Sequence, residues 1–187
     1  MVSLAALWLP IVLAAVAVFF VSSIFHVVLP FHRNDYSKMP GEEGVLAAMR
    51  DAGVKRGMYM FPHLGSMAEM NTPEGQEKYR TGPVGILVVM PNGPVNMGKH
   101  LALWFVYCLL VSFFVAYLAA HTMAAGTHYL GVFRIVGTAA FLAYGFGYLT
   151  HPIWKGETWG VSLKGVFDGL VYGLVTAGVF GWLWPAA

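Results

Sequence analysis

Long apolar runs alternate with shorter polar segments along this chain of 187 residues. A helix needs about 20 mainly apolar residues to cross a bilayer. Four runs reach that length, and we take them as transmembrane spans 1 to 4: Leu4 to Leu29, Leu101 to Thr122, Tyr129 to Thr150 and Leu163 to Trp184. The pattern therefore predicts an all-α membrane protein built as a bundle of four transmembrane helices.

The connection between spans 1 and 2, residues 30 to 99, has a different pattern with frequent turn residues. Acidic residues followed by an apolar stripe predict a short amphipathic helix within residues 40 to 53. Gly57 to Phe61 and Val84 to Met90 are predicted to be strands, and a Thr-Pro pair at 72 and 73 predicts the start of another helix. We expect a small extramembrane α/β module inserted between spans 1 and 2.

Composition supports the membrane class, since 58% of the residues are hydrophobic and 11% are charged. Lys and Arg concentrate in residues 30 to 99, whereas the connection between spans 2 and 3 has neither. The positive-inside rule then predicts a cytoplasmic module with both termini outside. We expect an integral protein of a prokaryotic plasma (inner) membrane.

The net charge and the cysteine count limit the partners and the covalent bonds that this chain can have. A net charge of +2 gives no argument for nucleic acid. Interfacial cations such as Lys99 are instead expected to meet lipid headgroups. Cys108 is the single cysteine, so no disulfide can form within the chain.

Small residues recur every four positions in span 4, at Gly165, Gly169, Gly173, Ala177 and Gly181. Such a ridge lets helix backbones approach closely in lipid, so these residues are a predicted helix-packing interface. Packing within the chain is favoured because span 3 has a matching series, Ala139, Ala143 and Gly147. A spacing of four drifts around a helix of 3.6 residues per turn, so one straight neighbour cannot cover every position. Part of the ridge is predicted to remain for other membrane subunits or for self-association.

Three histidines lie near the same predicted membrane face: His26, His100 and His151. Neutral imidazoles at matched depth can hold zinc, copper or haem iron, and His32 is placed to join them. Interfacial histidines commonly bond to water, headgroups or carbonyls instead. The chain also lacks a tight ligand spacing such as H-x-x-x-H. We predict no cofactor and no stoichiometric metal, with copper or haem on these histidines as the alternative.

Methionines give a second candidate copper site. Eight of the ten methionines fall in residues 30 to 99, and several surround His63. Thioether and imidazole ligands suit Cu(I). Methionine is also an adaptable core residue, and Met58 and Met60 would share one face of a strand. Packing is the favoured interpretation.

Arg134 and Asp168 place charge inside the predicted spans, which by default indicates a functional site. Their depths differ, because Arg134 is near the outer end of span 3 and Asp168 near the inner end of span 4. We expect Arg134 to snorkel and Asp168 to pair with Lys164, four residues earlier.

The sequence contains no complete catalytic constellation, and we expect no catalytic residue. The ridge and the methionine-rich module favour a non-catalytic accessory or assembly subunit of a larger integral membrane complex. One alternative is a metal- or haem-binding membrane redox protein that uses histidines near one membrane face. Another is a small oligomeric transporter, which requires a continuous polar path.

Overall fold

The computed structural model describes residues 2–187, and the chain divides into two units. The larger unit, here called the bundle, comprises the residues up to Asp35, Asn96–Pro152 and Glu157–Ala187. The smaller unit, here called the module, comprises Tyr36–Val95 and Ile153–Gly156.

The protein is mainly helical, with one small sheet. The helices are α1 (Trp8–Ser23), α2 (Glu42–Asp51), α3 (Met67–Met70), α4 (Pro73–Thr81), α5 (Met97–Thr122), α6 (Tyr129–Tyr144), α7 (Thr150–Trp154) and α8 (Trp159–Trp182). The strands are β1 (Gly57–Phe61) and β2 (Gly85–Val89). Short 3-10 turns lie at Leu4–Leu7, Pro30–His32 and Phe146–Leu149, and a π-helical turn lies at Ile24–Val28.

Three helical segments of residues 2–187 are long and apolar enough to cross a membrane: Leu4–Val28, Met97–Thr122 and Trp159–Trp182. They indicate an integral membrane location. The third predicted span is not one straight helix, because α6 ends at Tyr144 and the chain continues to Trp154 after a bend of 43°. Glycine is a poor helix former, and Gly145 lies at this break. The spans number four if the bent pair crosses the membrane as one unit.

Helices α5 and α8 each begin four residues before the predicted apolar run because polar caps start them. The side chain of Asn96 accepts a hydrogen bond from the Lys99 N–H at the start of α5. The Thr158 hydroxyl accepts one from the Val161 N–H at the start of α8. Such caps satisfy N–H groups that a helix end leaves without partners. The cap of α8 puts Asp168 more than two turns inside the helix rather than near its end.

The small residues of α8 pack against α6 and the bend that follows it. A Cβ at Gly169 would meet the backbone of Gly145, so no larger residue fits at this crossing. A Cβ at Gly165 would lie 2.6 Å from the Tyr148 ring. At the other end of the ridge, a Cβ at Gly181 would lie 2.7 Å from the Tyr129 ring. The protein's own residues therefore cover both ends of the ridge and its centre.

The facing series is not the one predicted. The residues opposite the ridge are Tyr129, Gly137, Phe141, Gly145 and Tyr148 rather than Ala139, Ala143 and Gly147. Ala139 and Ala143 instead line a groove with α5. Four ridge positions face α6 or the break at Gly145, and the segment after the 43° bend brings Tyr148 over the fifth, Gly165.

In the module, β1 and β2 pair antiparallel, with Gly57 opposite Val89 and Phe61 opposite Gly85. Met58 and Met60 share one face of β1, but they are 72% and 51% exposed. These two methionines are therefore surface residues of the module and not part of a core within the described chain.

Candidate metal centre

The chain leaves α1 through the π-helical turn Ile24–Val28, which contains His26. Leu29 is extended, and Pro30 starts the 3-10 turn that ends at His32. Proline suits the first position of a helical turn because its φ is fixed and it has no N–H to satisfy. The change of direction stacks the rings of His26 and His32, with centroids 4.3 Å apart and 11° between the ring planes.

Asp168 on α8 completes a group of three that we call the His–Asp cluster: His26, His32 and Asp168. It is the one acidic residue in the sequences of α1, α5, α6 and α8, and its side chain is 7% exposed. Its Oδ2 lies 2.9 Å from His32 Nε2 and 3.9 Å from His26 Nε2. One ligand atom from each residue thus lies within 4.8 Å of the other two.

Hydrogen bonds determine which ring nitrogen of each histidine is available. His26 Nδ1 lies 3.0 Å from the Ser22 carbonyl oxygen, and His32 Nδ1 lies 2.6 Å from Asp35 Oδ2. Both acceptors require an N–H at Nδ1, so in a neutral ring the lone pair is on Nε2. Both Nε2 atoms are on the side of Asp168. Metal-binding histidines are oriented in this way, by a carbonyl or carboxylate that accepts from the other ring nitrogen.

His32 and Asp168 are close without forming an aligned hydrogen bond. Among residues 2–187, His32 Nε2 is buried and has no hydrogen-bond partner, although Oδ2 lies 2.9 Å away. Oδ1 of Asp168 is also buried without a partner. One carboxylate oxygen of Asp168 thus lies within ion-pair range of His32, and the other is buried without a partner in residues 2–187.

A second carboxylate lies behind His32. Asp35 Oδ2 accepts from His32 Nδ1, and Asp35 Oδ1 accepts from Lys164 Nζ, each at 2.6 Å. Burial raises the pKa of the Asp35 carboxyl, but the hydrogen bonds from Lys164 and His32 outweigh it and hold this pKa below its usual value. Asp35 is therefore ionised at neutral pH. The predicted pairing of Lys164 with Asp168 is wrong, because Lys164 forms an ion pair with Asp35 instead.

Aromatic rings enclose one side of the cluster. Phe25, Phe31 and Phe167 lie in mutual contact, with ring centroids 5.7 to 6.3 Å apart. The edge of His32 meets Phe31 at 5.0 Å, which limits rotation of the imidazole. The side chain of His26, by contrast, is 52% exposed. Neighbouring side chains thus enclose His32, whereas about half of the His26 side chain is exposed.

The structure does not bring the predicted set His26, His100 and His151 together. His100 is exposed on the first turn of α5. His151 Nδ1 lies 2.9 Å from a carboxylate oxygen of Glu157, whose other oxygen accepts from Ser162. Of the three predicted histidines, His26 alone belongs to the group of possible metal ligands found in residues 2–187.

Arg134 and Asp168 lie at different depths, as expected. Gly137 packs against Ala177, nine residues beyond Asp168 on α8, which corresponds to about 13 Å along the helix. Arg134 is exposed on α6. No described contact links it to the cluster.

The bundle beyond Asp168 contains hydroxyl groups and then becomes apolar. Within residues 2–187, the hydroxyls of Tyr172 and Ser112 are buried and have no hydrogen-bond partner. Farther along the same helices, Val115 and Phe180 are buried. This apolar layer argues against a continuous polar path through a single chain.

Sequence reasoning undervalued His32 and missed Asp35. A local signal was available, since the two residues are three apart after a proline and can share one turn. Nothing local connects them with Asp168, which comes from the other end of the chain. Their proximity depends on how α8 packs beside α1.

Comparison with known proteins gives no further identification. No family model matches the chain, and neither a curated protein nor a solved structure matches it. The functional argument therefore depends on the geometry of the His–Asp cluster.

Proposed function

We propose that this protein is an integral membrane metalloprotein that binds one divalent transition-metal ion through His26, His32 and Asp168. The observation that carries the proposal is that one ring nitrogen of each histidine and a carboxylate oxygen of buried Asp168 lie within 4.8 Å of one another. Zinc bonds to nitrogen and oxygen are about 2.0–2.2 Å long, so the ligand atoms of a tetrahedral ion lie about 3.3–3.6 Å apart. The separations of 2.9 and 3.9 Å bracket this spacing.

The carboxylate of Asp168 attracts a positive charge, which a metal ion or a protonated His32 can supply. An ionised carboxylate inside a membrane-spanning helix needs a compensating positive charge. Lys164 is one turn from Asp168, but its ammonium group is bound to Asp35. A divalent ion would neutralise Asp168 and satisfy the lone pairs of both histidines together.

The ligand set limits the choice of metal. Two histidines and one carboxylate, with an open coordination position, are used by zinc enzymes and by non-haem iron enzymes. Copper(II) also accepts nitrogen and oxygen ligands and usually binds more tightly than zinc. Haem fits poorly, because bis-histidine ligation requires the two rings on opposite sides of the macrocycle. The rings of His26 and His32 stack 4.3 Å apart with 11° between their planes. Binding of one ion by both Nε2 atoms therefore also requires the exposed ring of His26 to turn out of this stack.

The prediction of an accessory or assembly subunit rests on the ridge, the methionine-rich module and the lack of a complete active site. The protein's own α6 and the following bend cover the ridge, so the first reason has less weight. The exposed Met58 and Met60 leave the second reason in place. The transporter alternative is weakened by the apolar layer that contains Val115 and Phe180.

We also infer that residues 30 to 99 are cytoplasmic, because Lys and Arg concentrate there. A cysteine placed at Ser66 in a Cys108→Ser background is expected to resist a membrane-impermeant thiol reagent in intact cells. It should react once the cells are permeabilised. Labelling in intact cells would reverse the orientation.

Metal titration of the full chain in mild detergent tests the proposed function. After treatment with chelator, the protein is expected to bind one equivalent of Zn²⁺ or Co²⁺, measured by elemental analysis and by the visible spectrum of Co²⁺. Loss of an outer partner costs about 10–100-fold in affinity, so His32→Ala and Asp168→Asn, which remove ligands, should each cost at least about 100-fold.

His100→Ala and His63→Ala are the matched controls, and both should keep one equivalent. Absence of stoichiometric binding in the unaltered protein would contradict the proposal. Binding that survives the combined His32→Ala and Asp168→Asn change would contradict it as well. If the unaltered protein binds no metal, the cluster would be an ion pair between a protonated histidine and Asp168.

A further inference from the structure

A line of three polar contacts connects Lys164 with the His–Asp cluster. Lys164 Nζ lies 2.6 Å from Asp35 Oδ1, and Asp35 Oδ2 lies 2.6 Å from His32 Nδ1. His32 Nε2 then lies 2.9 Å from Asp168 Oδ2. Asp35 and Lys164 are 10% and 26% exposed at their side chains, so solvent screens this line only in part. A change of charge at Lys164 can therefore affect His32 through Asp35.

We propose that Asp35 and Lys164 set the metal affinity of the cluster in opposite directions, an inference that rests on the proposed metal site. Asp35 is a positioning residue that strengthens binding by holding His32 with Nε2 toward Asp168. Lys164 weakens binding because it withdraws negative charge from Asp35 and adds a positive charge near the ion.

The role of Asp35 follows from its hydrogen bond. A carboxylate that accepts from the far nitrogen of an imidazole fixes the tautomer and increases the basicity of the ligating nitrogen. The contact at 2.6 Å is in the range of a strong, charge-assisted hydrogen bond. Asp35→Asn retains one oxygen that can accept from Nδ1 and removes the charge, but its amide nitrogen cannot accept from Lys164. Combined with Lys164→Met, which removes the facing donor, this variant separates the charge effect from the position of the ring.

The role of Lys164 follows from a count of charges. With both histidines neutral, Asp35, Asp168 and a divalent ion together sum to zero, and Lys164 leaves an excess of one positive charge. Burial makes such an excess unfavourable. Removing Lys164 should therefore favour the bound state, provided that the hydrogen bond to His32 keeps Asp35 in place.

A purely mechanical role for Lys164 predicts the opposite sign. If the lysine served only to hold Asp35 in position, its loss would free the carboxylate and weaken binding. Lys164 Nζ also lies 5.5 Å from the centroid of Phe31. Lys164→Met retains an apolar chain against this ring and removes only the ammonium group.

The experiment compares dissociation constants for Co²⁺ and Zn²⁺ in the full-length protein in detergent. Asp35→Asn is expected to weaken binding about 10–100-fold. Lys164→Met is expected to tighten binding about three- to tenfold, the scale of a partly screened charge interaction. Lys164→Arg retains the charge and should stay within about twofold of the unaltered protein. Lys99→Met, which removes a cation from the exposed first turn of α5, is the control for total charge.

The pattern of results tests this inference separately from the metal site itself. If Lys164→Met weakens binding, or if Lys99→Met tightens it as much, Lys164 does not act through Asp35. If Asp35→Asn leaves the affinity unchanged, Asp35 does not position a ligand. Either result overturns the inference while the metal site stands, whereas absence of binding in the unaltered protein removes both. The Co²⁺ spectrum of each variant, together with its melting temperature, distinguishes altered affinity from loss of fold.

Discussion

The two faces of α8 differ in how completely the chain satisfies them. The face that contacts α6 consists of glycines and alanine, and tyrosine rings and helix backbone cover it closely. The face that carries Asp168 and Tyr172 has a carboxylate oxygen and a hydroxyl that are buried without hydrogen-bond partners in residues 2–187. One face is finished by packing alone, whereas the other still lacks partners for its polar atoms.

This contrast separates a surface that helix packing completes from one that it leaves open. Close packing of small residues needs nothing beyond the neighbouring helix. Buried polar atoms without partners are uncommon, and each calls for an explanation such as a bound water, ion or ligand. The ridge therefore identifies where helices meet, and the carboxylate of Asp168 is the place to test the proposed ligand.

The largest effect on stability is expected at the face of α8 that packs against α6. Gly169→Leu should lower the free energy of unfolding by about 3 kcal/mol or more, because the new side chain would overlap the backbone of Gly145. Thermal unfolding in detergent measures this. Gly160→Leu is the control, since a Cβ there meets nothing within 4 Å. Equal melting temperatures for the two variants would show that the ridge does not face α6.

The second prediction concerns the face of α8 that carries Asp168. Saturating Zn²⁺ at about 100 times its dissociation constant should stabilise the unaltered protein by about 2.7 kcal/mol. Asp168→Asn should abolish this gain yet be no less stable than the unaltered protein without metal, because it removes a buried charge. The measurement is the melting temperature with and without Zn²⁺. A large loss of stability for Asp168→Asn in chelator would make Asp168 a structural residue.

A smaller effect is expected at the histidine that the structure separates from the cluster. His151→Gln should lower stability by about 1 kcal/mol, because it weakens the contact with Glu157 near the start of α8. Metal stoichiometry should be unaffected. A drop in bound metal for His151→Gln would return His151 to the ligand set.

The smallest effect is expected at Tyr172. Its hydroxyl has no described partner, so Tyr172→Phe should change stability by less than about 1 kcal/mol, toward higher stability. Chemical unfolding of metal-free protein measures the difference. A clear loss of stability would mean that the hydroxyl is bonded to a buried water or ligand.

The parts of this molecule that depend on local pattern were predictable. The length of the apolar runs predicted the spans, and Thr72 and Pro73 predicted the start of α4. The recurrence of small residues every four positions predicted the packing ridge on α8. The identity of the residues facing the ridge was not predictable, because packing decides which face α6 turns toward α8 and the bend at Gly145 then redirects the chain. Hydropathy alone does not report such a bend.

The site depended on contacts between distant parts of the chain. An i, i+4 rule paired Lys164 with Asp168, but Asp35 offered the lysine a closer and partly buried partner. Of the three predicted histidines, His26 lies in the His–Asp cluster, whereas His100 and His151 lie outside it. The sequence predicts the depth of a residue in the membrane. The ligands of one metal ion must also point toward one another, and their directions are fixed only when the helices pack.

The break at Gly145 also bears on the lipid around the protein. Helix α6 has 16 residues and is about 24 Å long, so it crosses the roughly 30 Å of a typical hydrocarbon core only together with its bent continuation to Trp154. A bent span can follow a change in bilayer thickness by changing its tilt or its bend. Acyl-chain length thus becomes a physical variable that acts on α6 and its continuation. These segments pack on the ridge of α8, and Asp168 lies on another face of that helix.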